Sequence, residues 1–186
     1  MVPGIYKPGD HKPGNYKPGN YKPGNYKPGN YKPGNYKKEA GEGTILLFYL
    51  LRENMKALLE QYYQHFNTGN YEGMLTLLAG NVIHEPCQGK PRHGKEKFRE
   101  FLQHMERCYK EQVHNPVIMI SGDGKQGAAE FVLTGTYLVT DSDLPPAKGQ
   151  TYKLRVGTFF EFSGNRITRV SNHYNLQDWI SQIEGA

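Results

Sequence analysis

The unit Tyr-Lys-Pro-Gly-Asn recurs with a period of five residues at the start of the chain, and it restricts the fold more than any other feature. Lys-Pro-Gly occurs six times, at residues 7–9, 12–14, 17–19, 22–24, 27–29 and 32–34. Proline locks φ and lacks an N–H, and glycine accepts turn conformations, so each copy favours a Pro-Gly turn and blocks continuous helix. The recurring tyrosines are too sparse to bury a core, so residues 1–43 are expected to form a low-complexity tail of disordered or loosely turned chain. Repeated Lys and Tyr can touch anionic polymers or membrane surfaces; an extension with no task of its own is the simpler account. Any core must come from residues 44–186, a length that suits one domain. Residues 44–54 read as a linker or helix start and 55–186 as the domain. Met55 begins the first strong helical pattern and could itself be an initiator.

The formal net charge of +5 belongs to the tail, where eight Lys face three acidic residues. The remaining 15 basic and 15 acidic residues balance. A domain without a basic stripe gives no reason to expect nucleic acid as a partner. Cys87 and Cys108 stand in no CxxC or Cys/His spacing, so reduced thiols in a cytoplasmic protein are expected, with no metal site. The longest apolar run, Ile45 to Leu51, is too short to span a bilayer, so no membrane partner is expected.

Met55, Leu58, Leu59, Tyr62 and Phe66 recur at helical spacing, and Asn67-Thr68-Gly69 ends the helix. Asn70 can cap a second, short helix through Leu78. Val82 to Glu85 reads as a short strand closed by Pro86. A third helix follows Gly94, with Phe98, Phe101, Leu102, Met105, Cys108 and Tyr109 on one stripe. Beyond Glu111 the texture is strand: Val117 to Ile120, Ala128 to Thr140, then Tyr152, Leu154, Val156, Thr158, Phe160 and Phe162 in strict alternation. Ser163-Gly164-Asn165 signals a hairpin into Ile167 to Asn175, and a short terminal helix follows. Helices first and a hairpin-connected sheet afterwards indicate an α+β fold. Three N-terminal helices would pack on a curved, mostly antiparallel sheet and leave a one-ended cavity.

Several stretches resemble a known family. Tyr62 to Gly73 resembles the helix and turn that open ketosteroid isomerase-like and SnoaL-like domains. Leu77-Leu78-Ala79-Gly80-Asn81-Val82 and Gly94-Lys95-Glu96-Lys97-Phe98-Arg99-Glu100-Phe101 are similar to their next two motifs. Phe159 to Phe162 with Gly164 to Ile167, and Tyr174 to Trp179, resemble their closing segments. The resemblance runs from about Met55 to Ile183. It implies a cone-shaped α+β barrel of the nuclear-transport-factor-2-like superfamily, a homodimer, and a small apolar ligand.

The resemblance also implies chemistry. The isomerases place a carboxylate base just before a proline in the first strand, where this chain has Glu85-Pro86. Their oxyanion-donating tyrosine falls on Tyr62, and their protonated aspartate falls on Thr158, which cannot reproduce a neutral acid. Cyclase-like relatives place an acid or base near the last strand, where His173 and Asn175 stand. The expected catalytic set is Glu85, Tyr62 and His173, with Thr158, Asn175, Phe160 and Cys87 at the ligand. Glu85 would face inward with Ile83 and Cys87; His84 would then face the other way and pack on a helix. His104 and His114 are expected on solvated faces and Arg155 at the surface. No cofactor is expected, because side chains alone can carry the proton chemistry. Two functions follow: proton transfer on a small apolar carbonyl compound, by isomerisation, cyclisation or dehydration, or a non-catalytic dimer that binds a hydrophobic ligand.

Overall fold

The structure, a computed structural model, describes residues 41–142 and 144–185. All but the last three residues of the repeat tail lie outside them. The element order is α1 (Glu42–Asn67), α2 (Tyr71–Thr76), β1 (Leu78–Glu85), β2 (Arg92–His93), α3 (Lys95–Cys108), β3 (Tyr109–Ile120), β4 (Gln126–Tyr137), β5 (Thr151–Ser163), β6 (Arg166–Tyr174) and α4 (Leu176–Glu184). The six strands form one curved, unclosed sheet in the order β2-β1-β6-β5-β4-β3. Neighbours are antiparallel except β1 and β6, which run parallel. The fold is thus the expected α+β cone, with the first three helices on the sheet. Among the described residues, no helix is long and apolar enough to cross a membrane.

Local chemistry explains the boundaries. Thr68 bonds back to Gln64, and Gly69 at φ 67° turns the chain out of α1. Asn70 caps α2 by accepting from the Gly73 N–H at 2.9 Å. Leu78, expected to close that second helix, instead opens β1, because Ile167 N–H reaches Leu77 O at 3.0 Å and draws the segment into the sheet. β3 likewise begins eight residues before Val117. The Asn67 side chain brackets the Val113 backbone with two bonds of 2.8 Å, and Asn115 at φ 49° absorbs a register shift between His114 and Val117. The segment 44–54 is the first half of α1.

The core lies between the inner face of the sheet and the helices. Leu59, Leu75, Leu78, Phe98, Leu102, Val82, Phe160, Ile167 and Val170 are all but inaccessible. Tyr152, Leu154, Val156, Thr158, Phe160 and Phe162 all point inward, as their alternation requires. The odd members of β5 point outward, and Phe159 among them is 50 % exposed.

Candidate functional site

Two polar groups of residues sit on the inner face of the sheet, within aromatic surroundings. Tyr62 and Tyr63 project from α1 and pack edge-on against Phe160 and Phe131, with ring centres 5.6 and 5.1 Å apart. The first polar group begins at His84, which shares the buried parity of β1 with Val82. Its ring lies against Phe98 and Phe101 of α3, at 4.6 and 4.3 Å. Asn172 of β6 reaches it through an Nδ2 to Nε2 contact of 3.2 Å, and Thr158 donates to Asn172 Oδ1 at 3.1 Å. With Asn172 donating to Nε2, the neutral ring carries its proton on Nδ1. That Nδ1 is buried and has no partner among the described residues. The Tyr63 hydroxyl is also buried; Thr158 is near enough to lower its pKa slightly, but the hydroxyl makes no hydrogen bond of normal geometry among the described residues. Burial, and then the neighbouring Arg92 charge, push the His84 pKa down to about 4, so the ring is neutral at physiological pH.

Glu111 of β3 anchors the second group. It accepts a 2.6 Å hydrogen bond from the Tyr152 hydroxyl. Gly135 of β4 lies between them in the ladder, paired with both residues. A Cβ there would collide with the Tyr152 ring, so the glycine makes room for the contact. Burial pushes the Glu111 carboxyl up to about 7, and the Tyr152 bond offsets part of that rise. Trp179 of α4 closes over Tyr137 and Tyr152 at 5.3 and 5.9 Å. Burial, and then its neighbours Cys87 and Glu111, raises the Tyr174 pKa to about 12.

The residues singled out from sequence divide between the two faces. Tyr62, Thr158 and Phe160 are buried on the inside. Glu85 and His173 lie on the outside with Arg169 and Ser171. The Arg169 guanidinium binds Glu85 Oε2 at 2.9 Å and Glu161 Oε1 at 3.0 Å, and Ser171 contacts His173 at 2.9 Å. The hydrogen bond from Arg169 holds the Glu85 carboxyl below the usual carboxylate range. The expectation that Glu85 faces inward is therefore corrected. A register shift between Leu78 and Ile83 sets the parity of β1, and His84 takes the inner position. His84 does pack on a helix, as expected, but from inside the cone. Asn175 caps α4 by accepting from Asp178 N–H at 3.2 Å. Cys87 is half-buried, and its Sγ donates to Tyr174 O at 3.4 Å. His114 is half-buried against Thr134 at 2.8 Å, and Arg155 is exposed beside Glu130.

His104, Cys108 and Asp141 are the described residues that could hold a metal: their donor atoms lie within 4.8 Å of one another. The set suits zinc chemically. His104 already meets Asp141 directly at 2.9 Å, and Tyr109 donates to the same carboxylate at 2.9 Å. Clefts among the described residues lie apart from both polar groups, with neither His84, Arg92 nor Glu111 in their linings. One of about 240 Å³ lies beside Met55 and Asn165, and one of about 270 Å³ runs between Tyr71 and Arg99.

The SnoaL-like domain family matches residues 59–170. A candidate polyketide cyclase from Xanthomonas campestris is 42% identical, with a TM-score of 0.69 over 72% of this chain and 98% of that one. Another, from Pseudomonas putida, is 44% identical, with a TM-score of 0.67 over 68% and 95%. A phenazine biosynthesis-related protein from Pseudomonas aeruginosa shares the fold at 16% identity, with a TM-score of 0.64 over 75% and 90%. No curated protein matches. With a family match across most of the cone and whole-domain relatives above 40% identity, the chain belongs to the SnoaL-like domain family.

Proposed function

We propose that the chain binds a small apolar carbonyl compound inside the cone and moves a proton at the carbon next to that carbonyl. The observation that carries this reading is the open hydrogen-bonding valence of fully buried His84, whose Nδ1–H points into an aromatic interior with no partner among the described residues. A buried donor left unpaired is costly, and a carbonyl oxygen that gathers charge in the reaction would satisfy it. Glu111, with its pKa near neutrality, has the affinity a general base needs at physiological pH. Its carboxylate takes the α-proton while His84 and the Tyr63 hydroxyl hold the enolate oxygen. The proton then returns to another carbon, or the enolate attacks a second carbonyl. Tyr62, expected as the oxyanion donor, is buried in this same interior. The outward positions of Glu85 and His173 favour Glu111 as the base and His84 as a donor to the oxygen. The relatives named as candidate polyketide cyclases support a carbonyl substrate.

The outer face supports the homodimer. Phe159, Met119 and Val117 are half or more exposed, and Met119, Ala128 and Phe159 form one row across three strands. A contiguous apolar row of this kind suits a second copy. Two free cysteines accord with a cytoplasmic setting.

A second reading, a ligand-binding module without turnover, is favoured by Thr158 standing where an isomerase has its neutral acid. Exchange of the methyl protons of acetophenone into D2O, followed by NMR, separates the two. The protein should accelerate exchange and Glu111→Gln should abolish it, while binding of the ketone persists. Binding without accelerated exchange would establish the module.

A further inference from the structure

Arg92 has no role in the scheme above. It belongs to the two-residue strand β2 and pairs across the ladder with His84, so both side chains fall on the inner face. Its guanidinium lies 5.0 Å from the centre of the Phe101 ring, which flattens it against the same aromatic wall that His84 touches. Its Nη1 is buried and makes no hydrogen bond among the described residues. Nor does Arg92 form an ion pair among them. The carboxylate nearest in sequence to His84 belongs to Glu85, which points through the other face and is held by Arg169 at 2.9 Å. The result is a permanent cation with a dry, unpartnered N–H beside a second dry, unpartnered N–H on His84.

The His84 donor is taken by the carbonyl oxygen in the scheme above, so the Arg92 donor is the one left without a partner, and a buried donor left unpaired is costly. A guanidinium cannot shed its charge by losing a proton, so its partner must come from elsewhere. A carboxylate fits best: it is planar, carries two acceptor oxygens, and accepts from an arginine fork with added strength. Phe98, Phe101 and His84 offer rings on which the rest of the ligand can lie. We infer that the ligand of this cone is an aromatic or unsaturated carboxylate, whose carboxylate is received by Arg92 while His84 keeps the carbonyl oxygen. This rests on the reading that the cone interior is the binding site. It adds that the substrate carries a negative charge at one end.

The test compares benzoate with methyl benzoate, which has the same ring and no charge, by calorimetric titration of the full chain at pH 7. Benzoate should bind at least tenfold more tightly. Arg92→Gln should erase that preference and leave methyl benzoate within about twofold; Arg92→Lys should retain part of it. Circular dichroism of each variant checks that it is folded. Equal or tighter binding of methyl benzoate to the unmodified chain would overturn the inference without using any variant, as would a preference that survives in Arg92→Gln. The acetophenone exchange assay reports separately: exchange without benzoate preference removes the carboxylate and keeps the proton-transfer reading, and benzoate preference without exchange does the reverse.

Discussion

His84 and Glu85 are consecutive residues on one strand, yet their side chains experience opposite conditions. His84 lies inside the cone, where there is little solvent to stabilise a charge, and its protonated form is suppressed to a pKa of about 4. Glu85 lies on the outer face, where Arg169 stabilises its charge and the carboxyl is held low. The same contrast separates Phe160, 1 % exposed, from Phe159, 50 % exposed. One sheet therefore has a dry face, where each unpaired polar group is costly enough to imply a ligand. Its other face is wet, and polar groups there can be satisfied cheaply. Family resemblance at the motif level cannot distinguish the two, because both residues belong to the same strand.

The largest effect that would sharpen this contrast is on stability. Phe160→Ala should cost about 3–5 kcal/mol in urea unfolding, the range for a buried phenylalanine. Phe159→Ala should cost about 0.5 kcal/mol or less, while shifting light scattering from dimer toward monomer. Similar losses in the two unfolding curves would break the distinction between the faces.

The pH dependence comes next, with two inner groups pulling in opposite directions. Glu111 binds its proton more tightly folded than unfolded, so its contribution to stability is full below about 4.5 and is lost as pH rises through about 7. His84 binds its proton less tightly folded than unfolded, so its contribution is present above about 6.5 and is lost as pH falls through about 4. Between these limits the two slopes oppose each other. Urea midpoints measured from pH 4 to 8 should therefore rise with pH in Glu111→Gln, where His84 acts without Glu111. They should fall between pH 4.5 and 7 in His84→Asn, where Glu111 acts without His84. Parallel profiles in both variants would show that neither group sits in a dry environment.

The smallest effect belongs to the outer ion pair. A double-mutant cycle on Glu85 and Arg169 should return a coupling of about 0.2–1 kcal/mol, the usual worth of a pair open to water. A coupling several times larger would mean that this face is also covered in solution.

The strict alternation from Tyr152 to Phe162 made the inner face of β5 legible, because a period of two leaves only one way to bury Tyr152, Leu154, Val156, Phe160 and Phe162 together. The helical stripes of α1 and α3 were legible for the same reason. Strand β1 was not, because Val82 and Ile83 are both apolar and either parity reads as buried. Its true parity follows from a register shift against β6, a long-range contact that no local pattern encodes. Glu111 reads only as the point beyond which the strand texture begins, since its inward position depends on the gap at Gly135, far along the chain. Arg92 gave no signal at all, because a two-residue strand has no periodicity. The run Ile45 to Leu51 reads as core material, yet Ile45 to Leu50 are 41–61 % exposed. That run is apolar around the whole helix, and composition without a stripe does not say which side a neighbour covers.

The parallel pairing of β1 with β6 also sets a timetable. Strands β3 to β6 join one another through successive antiparallel pairings and can zip up locally as each emerges. Leu78 is synthesised long before Ile167, its partner, and apart from two residues of β2 the strand has no other neighbour in the sheet. A nascent chain must therefore carry β1, with its buried Val82 and His84, unpaired until nearly the whole domain has been made. Contacts so far apart in sequence close slowly, and a waiting strand is open to capture by other chains. Ribosome stalling or truncation before residue 166 would release a chain whose first strand has never acquired its main partner. The rate at which residues 166–174 appear thus bears on the yield of folded protein.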